Sequence, residues 1–314
     1  MRVAITGAAG FLGSHLAERL VREGHEVIGL DNLSTSSGEN LDAIRERSNF
    51  SFVEADVTRD FPIDGKLNLV FHFASPASPK GYAALPLETL AVNSLGTRRA
   101  CESALRHGAR LLYASTSEVY GDPQVHPQPE SYWGNVNPVG ERSCYDEGKR
   151  FGEATIAAYR RAHGLDARMV RIFNTYGPRM HPRDGRVVPQ FIGQALAGEP
   201  LTIYGDGKQT RCLCYVEDLI EGVVRLAMLA APKAWIVNIG SDRELSVNEI
   251  ATAIARLCGV AFEKTTRPLP PDDPVRRRPD LQLAREVLQW TPCTSLEDGM
   301  RATIEWFRAR MSIV

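Results

Sequence analysis

The stretch Arg2-Val3-Ala4-Ile5-Thr6-Gly7-Ala8-Ala9-Gly10-Phe11-Leu12-Gly13 decides the fold. A β-prone apolar run passes directly into three glycines spaced Gly-x-x-Gly-x-x-Gly, and an amphipathic run follows from His15 to Arg22. Such glycines make a tight turn, let backbone approach a pyrophosphate and leave room for the next helix, whose N-terminus holds the phosphates. Alone, the triplet reads equally well as an ordinary turn. Here it is answered by Asp31, at the end of a second β-rich run from Glu26 to Leu30. The context predicts a dinucleotide site built from Gly7, Gly10, Phe11, Leu12, Gly13, Asp31 and Asn32. A carboxylate at Asp31 accepts from a ribose diol and repels a 2′-phosphate, so NAD is expected over NADP.

The pattern continues outward. Phe50–Val53, Leu69–Phe73, Arg110–Ala114 and Ala167–Ile172 read as further strands, with helical stretches at Pro86–His107 and Tyr145–His163. Strands alternating with helices predict an α/β Rossmann-type fold, a doubly wound parallel sheet with a smaller α/β substrate-binding domain. Asp56-Val57 after the third strand and Phe73-Ala74-Ser75 after the fourth are candidates to flank the cofactor, with a loop acid and strand-end packing as the alternatives. Beyond Asn174, Gly, Pro and charged residues gather at 177–179, 183–186, 205–207 and 268–279. That texture reads as loops over a cleft. Helices return at Val188–Ala197, Val216–Leu229, Val247–Leu257 and Leu296–Arg310. We expect residues 1–176 to form the NAD-binding part and 177–314 predominantly the substrate-binding part, with about 212–240 open to rejoining the first.

Bulk properties narrow the function. A 314-residue chain with 43% hydrophobic and 24% charged residues and a formal net charge of -1 is ordinary for a globular protein and calls for neither nucleic acid nor membrane as partner. A strand directly after Met1 leaves no room for a signal peptide, so the expected location is cytoplasmic. The 6 cysteines lack paired metal-ligand spacing, and Cys212-Leu213-Cys214 reads as strand packing, so no metal is expected.

The chemistry concentrates in two segments. Ser115-Thr116-Ser117-Glu118 follows an apolar strand, at the carboxyl edge where parallel sheets bind ligands. Tyr145 and Lys149 lie one helical turn apart at the start of the next long helix. A phenol with an ordinary pKa of about 10 becomes a useful base when a nearby ammonium favours phenolate. The spacing alone also fits a solvated lysine on a helix face. Its combination with the Thr116 hydroxyl, the Glu118 carboxylate and a dinucleotide loop points to redox chemistry at an alcohol carbon.

Longer blocks carry a resemblance. They are Ala74-Ser75-Pro76-Ala77-Ser78-Pro79, Thr116-Ser117-Glu118-Val119-Tyr120-Gly121-Asp122-Pro123, Cys144-Tyr145-Asp146-Glu147-Gly148-Lys149-Arg150 and Arg171-Ile172-Phe173-Asn174-Thr175-Tyr176-Gly177-Pro178-Arg179-Met180, with Asp272-Asp273-Pro274 and Arg277-Arg278-Pro279-Asp280. Over nearly its whole length the chain resembles the extended short-chain dehydrogenase/reductases, and within them the UDP-glucuronate decarboxylases. The resemblance implies NAD as cofactor, with Tyr145 as base at the C4 hydroxyl, Lys149 lowering its pKa and binding cofactor, and Thr116 bonding the same oxygen. It also implies a UDP-sugar substrate held by Ser78, Asn174, Arg179, Arg211, Tyr215 and Arg277, and a homodimer joined through the Tyr-Lys helix and the helix before it. Sugar-nucleotide 4,6-dehydratases look similar but carry an Asp-Glu pair where this chain has Ser117-Glu118. Serine is a poor general acid at neutral pH, so loss of water is disfavoured. Ser117 then donates to a carboxylate, and Arg277 is a candidate to protonate C5. The role of Glu118 stays open between positioning the sugar and aiding decarboxylation.

Other readings remain in play. A 4,6-dehydratase or a UDP-sugar 4-epimerase would pass through the same 4-keto sugar, and a silent NAD-binding regulatory subunit would share the fold. The intact glycine loop and Tyr-Lys pair weigh against the silent subunit.

Overall fold

The computed structural model describes residues 1–231, 233–269 and 276–311; the Asp272-Asp273-Pro274 block lies outside them. The strands are β1 (Arg2–Thr6), β2 (Glu26–Asp31), β3 (Phe50–Glu54), β4 (Leu69–His72), β5 (Arg110–Thr116), β6 (Ala167–Ile172), β7 (Thr175–Tyr176), β8 (Leu201–Tyr204), β9 (Thr210–Cys212), β10 (Cys214–Tyr215), β11 (Ile236–Ile239), β12 (Glu244–Ser246) and β13 (Lys264–Arg267). The α-helices are α1 (Phe11–Arg22), α2 (Pro79–Ala84), α3 (Pro86–Ala91), α4 (Thr97–His107), α5 (Ser143–His163), α6 (Val187–Ala197), α7 (Val216–Met228), α8 (Val247–Cys258), α9 (Gln282–Leu288) and α10 (Leu296–Met311).

Seven strands form one sheet in the order β11-β6-β5-β4-β1-β2-β3, and every pairing in it is parallel. Both faces are covered, which is why β1 and β4 are apolar without alternation. Val3 and Ile5 pack into a core shared with α1 and α7, whereas Ala4 belongs to the opposite core with α4 and Ile156 of α5. The chain leaves β1 toward β2 in one direction and returns to β4 on the other side. This reversal opens a crevice beyond the strand ends.

Past β6, α6 packs against α8, which in turn meets α10, and the short pairs β8–β13, β9–β12 and β7–β10 lie outside the main sheet. Between them, α7 packs on α1 and β11 pairs with β6, bringing the chain back to the central sheet.

Two local departures from the sequence expectation matter at the site. Strand β5 runs on through Ser115 and Thr116, because β6 pairs alongside it as far as Ile172. The stretch Pro86–His107 is three pieces rather than one helix, with a π-helical turn at Val92–Gly96 between α3 and α4. Within that turn the buried Asn93 amide donates to Thr89 O at 2.9 Å and to Ser75 Oγ at 3.0 Å. Such turns are frequent at functional sites.

Candidate active site

The nucleotide end is built mainly from backbone. Gly7 has φ +72°, and a Cβ there would lie 2.7 Å from Ala74 N and 2.8 Å from Phe73 C. That crowding holds β1's exit against the strand-end segment Phe73-Ala74, whose amides donate to Thr6 Oγ1 at 3.2 and 3.1 Å. Gly10 is the N-cap of helix α1 and brings no side-chain cap, so the first amides of the helix are open to an anion. The Asp31 carboxylate accepts from Ala9 N at 3.0 Å and from Leu33 N at 2.9 Å, which fixes it at the rim of the glycine loop. Burial raises its pKa and those backbone hydrogen bonds oppose the rise. Asn32 Oδ1 accepts from Ser34 N at 3.1 Å. These donors and acceptors fit a dinucleotide's pyrophosphate and ribose. Asp56 Oδ1 accepts from Thr58 N and Thr58 Oγ1 at 2.9 and 2.8 Å, while Val57 is buried. The Asp56 carboxylate is thus turned into its own loop.

At the catalytic end, α5 lies hard against β5: a Cβ on Gly152 would sit 2.3 Å from Tyr113 OH. That approach carries Tyr145 and Lys149 to the end of β5, where both are buried. Tyr145 stacks on Tyr82 with ring centroids 5.2 Å apart, and its hydroxyl hydrogen-bonds with Thr116. Thr116 Oγ1 also accepts from Glu118 N at 3.2 Å, capping the 3-10 turn Ser117–Tyr120. Among the described residues the buried Ser117 hydroxyl makes no hydrogen bond, leaving it available to a ligand.

Lys149 Nζ donates to Ala114 O at 2.9 Å and lies 5.8 Å from the Tyr145 ring centroid. Two of its N–H donors remain for a cofactor ribose. Burial pulls the ammonium down to about 7, with Glu153 opposing. Burial likewise pushes the Tyr145 phenol well above its ordinary value, and the Thr116 hydrogen bond offsets part of that. Arg186, which sits over the Phe11 ring at 5.7 Å, also favours phenolate.

Glu118 occupies the centre of the charged cluster. Its Oε2 accepts from Arg142 Nη2 at 2.6 Å and its Oε1 from Arg277 Nη1. Burial raises its pKa, but the two guanidiniums overcome this and hold it well below the usual carboxylate range. A carboxylate so firmly ionised and doubly paired is a weak base. Asp146 lies on the far side of Arg142, with Oδ2 3.9 Å from Arg142 Nε.

Arg277 is delivered by an extended segment clipped to a buried glutamine. Gln128 N donates to Arg278 O at 2.9 Å, Arg278 N to Gln128 Oε1 at 2.9 Å, and Asp280 N to Gln128 O at 2.9 Å. Asn238 Nδ2 braces the same strand pair at Gln128 O and Asp280 O, 3.0 and 3.2 Å away. In the run Arg276-Arg277-Arg278 the first side chain is exposed and the second is 3% exposed, so the run is a bracketed loop and not a solvated face.

The proposed substrate residues divide. Among the described residues the Asn174 side-chain amide has no hydrogen-bond partner. Ser78 Oγ accepts from Gly81 N at 3.1 Å, which leaves its proton to donate. Arg211 is buried and donates to Thr210 O at 2.8 Å. Arg179 is ion-paired with Glu18 on α1, and Tyr215 packs edge-on to Tyr176 at 5.7 Å beneath α10. Sequence reading passed over Asn93, Arg142, Asp146, Gln128 and Asn238. An amide inside an apolar run was a usable signal for Asn93 and Asn238; Gln128 carries no local signal. Among the described residues no group of three His, Cys, Asp or Glu side chains is arranged to hold a metal, and no helix is long and apolar enough to cross a membrane.

A parallel sheet with a glycine-cradled dinucleotide site beside a Thr-Tyr-Lys constellation defines a nicotinamide-dependent enzyme acting on an alcohol carbon. The chain belongs to the NAD dependent epimerase/dehydratase family, whose model matches residues 3–240, and it takes NAD as cofactor. It is 47% identical over 310 residues to UDP-glucuronic acid decarboxylase 1 of Xenopus tropicalis, covering 99% of this chain and 73% of that one. With UDP-glucuronic acid decarboxylase 3 of Arabidopsis thaliana it shares 46% identity over 314 residues, covering 100% and 91%. Among solved structures, UDP-glucuronic acid 4-epimerase from Bacillus cereus, in complex with UDP-glucuronic acid and NAD, superposes with a TM-score of 0.88 at 26% identity, covering 99% of this chain and 100% of that one. UDP-glucose 4-epimerase from Thermotoga maritima, with UDP-glucose, gives 0.88 at 30% identity and the same coverage.

Proposed function

We propose that the chain decarboxylates UDP-glucuronate to UDP-xylose. The observation that carries this reading is the charge pattern around Ser117: a free hydroxyl where a dehydratase needs an acid, next to Arg142 and Arg277 sharing one carboxylate. The relatives named above support the same substrate. Bound NAD supplies a hydride acceptor, a cationic ring and the later return of that hydride. Tyr145 takes the C4 hydroxyl proton, aided by Thr116 on the same oxygen, while Lys149 holds the cofactor ribose and adds positive charge. The C4 ketone is β to the C5 carboxylate, so its oxygen accepts the electron pair as CO2 leaves. Thr116 and the protonated Tyr145 stabilise that enolate. Protonation at C5 consumes one proton from solvent, and Tyr145 finally returns its own proton to the C4 oxygen. Arg277, held against Gly121 O at 2.7 Å, stands ready to orient the carboxylate. Ser117 donates to the same group.

Residues 1–176, with about 212–240, serve as the dinucleotide unit in this reading, and the remainder of 177–314 as the sugar-nucleotide unit. Exposed Leu87, Leu90, Leu95 and Phe151 on and beside α3 and α5 support a homodimer, which sedimentation at twice the chain mass would test. Reduced cysteines, all six unpaired, support a cytoplasmic setting. Purified protein given UDP-glucuronate without added NAD should release CO2 and form UDP-xylose by mass spectrometry, and Tyr145→Phe should lower kcat by about 10² to 10⁴ while still binding the nucleotide sugar. Inert UDP-glucuronate beside turnover of dTDP-glucose would overturn the assignment.

A further inference from the structure

Strand β11 forms one edge of the central sheet, and its single polar side chain, Asn238, is wholly buried. A buried amide must place two N–H donors and an acceptor. Tyr120 OH accepts from Arg171 Nη1 at 3.0 Å, and a guanidinium can only donate, so the Tyr120 proton goes to Asn238 Oδ1, 2.8 Å away. That fixes the amide's orientation. Nδ2 then faces Gln128 O and Asp280 O at 3.0 and 3.2 Å, with one N–H for each. The Asn238 main-chain N–H donates to Glu130 Oε1 at 2.7 Å and anchors the residue from its backbone as well.

What this amide joins are the two sides of the Glu118–Arg277 ion pair. Tyr120 ends the 3-10 turn that carries Ser117 and Glu118. Gln128 and Asp280 belong to the clip that delivers Arg277, which adjoins the clipped Arg278. Arg277 itself is 3% exposed: Nη1 donates to Glu118, Nη2 to Gly121 O at 2.7 Å, and Nε is buried with no hydrogen-bond partner among the described residues. Where that guanidinium stands depends on how far the clip lies from the turn, and Asn238 spans the gap between them.

We infer that Asn238 is a positioning residue that sets Arg277 against Ser117 and Glu118 for the loss of CO2. This rests on the decarboxylase reading, because the step it serves is the departure of a substrate carboxylate. Asn238 touches no reacting atom; it acts through Tyr120 on one side and the Gln128–Asp280 clip on the other. Hydride transfer draws on Thr116, Tyr145 and Lys149, which stand on β5 and α5 and make no hydrogen bond to Asn238. Disturbing the amide should therefore separate the two halves of the reaction, sparing oxidation at C4 and slowing decarboxylation.

The test is a single turnover of purified holoenzyme with UDP-glucuronate, following NADH by its absorbance and CO2 by trapping. Asn238→Asp keeps an acceptor for Tyr120 but turns an oxygen toward the Gln128 and Asp280 carbonyls, so it opens the clip side alone. NADH should form at the wild-type rate while CO2 release slows by about 10- to 100-fold, the scale of a misplacement of about 1 Å, so that NADH accumulates. Asn238→Ser, shorter and neutral, gives the same readout where Asn238→Asp does not fold. A purely structural amide would lower the thermal midpoint and slow both steps by one common factor, and that result overturns the inference. CO2 release at the wild-type rate overturns it too. Wild-type protein that forms no CO2 is a different result, which removes the decarboxylase reading and this inference with it.

Discussion

The two ends of the site are made differently. The nucleotide end is largely backbone: Gly7, the uncapped start of α1 and the amides of Ala9 and Leu33 lie within one β-α-β unit. The catalytic end is side chains drawn from three separated places, Glu118, the start of α5 with Arg142, Tyr145 and Asp146, and Arg277, 159 positions apart at the widest pairing. A backbone site tolerates side-chain change but not steric change, whereas a side-chain cluster fails when one charge is removed. Substitutions at the two ends should therefore break the enzyme in different ways.

The largest effect is expected at the charged cluster. Arg277→Ala takes one of two guanidinium partners from the part-buried Glu118; removing one partner of a fully buried pair costs about 3 to 5 kcal/mol, so a loss of about 3 kcal/mol is expected here. Urea unfolding should show that loss in midpoint, and CO2 release should fall with it while NAD binding persists. A variant with normal stability would mean that Glu118 does not depend on Arg277. Gly7→Ala should act in the reverse sense. A Cβ at φ +72°, 2.7 Å from Ala74 N, combines backbone strain with overpacking and should cost about 1 to 3 kcal/mol. It should weaken NAD binding by calorimetry. Unchanged NAD affinity would show that the loop yields, and that this end is less rigid than its contacts imply.

This difference in construction also explains what could be read from the chain. Gly7, Asp31 and the parallel sheet were legible because local spacing encodes them: a strand, a glycine turn and an acid at the end of the next strand are physical requirements of one contiguous unit. The Tyr145–Lys149 pair was legible for the same reason, as one turn of one helix. Arg142 precedes that pair and Asp146 lies within it, but Arg142 gained meaning only when Glu118 was found to take its guanidinium together with that of Arg277. Gln128, which clips the Arg277 segment in place, sits in a stretch with no periodicity or motif, and Asn238 is a lone amide in the apolar strand β11 whose pairing is not written locally. Their partners are 150 and 42 positions away, and long-range pairings of that kind leave no local trace. Burial pulls the Lys149 ammonium down to about 7, and Arg186 is a second cation that favours phenolate at Tyr145.

The smallest effect tests the nucleotide end at the Asp31 side chain. Both Asp31 oxygens accept backbone N–H bonds, from Ala9 and Leu33, so an asparagine there must turn its amide nitrogen toward one of those donors. Asp31→Asn therefore loses one hydrogen bond as well as the charge that repels a 2′-phosphate. NAD should bind less tightly and NADP less unfavourably, narrowing the ratio of their Kd values by about tenfold, or roughly 1.4 kcal/mol. Titrating both cofactors into stripped protein measures this directly. An unchanged ratio would place the discrimination in the backbone shape of the loop, making the nucleotide end wholly a backbone device.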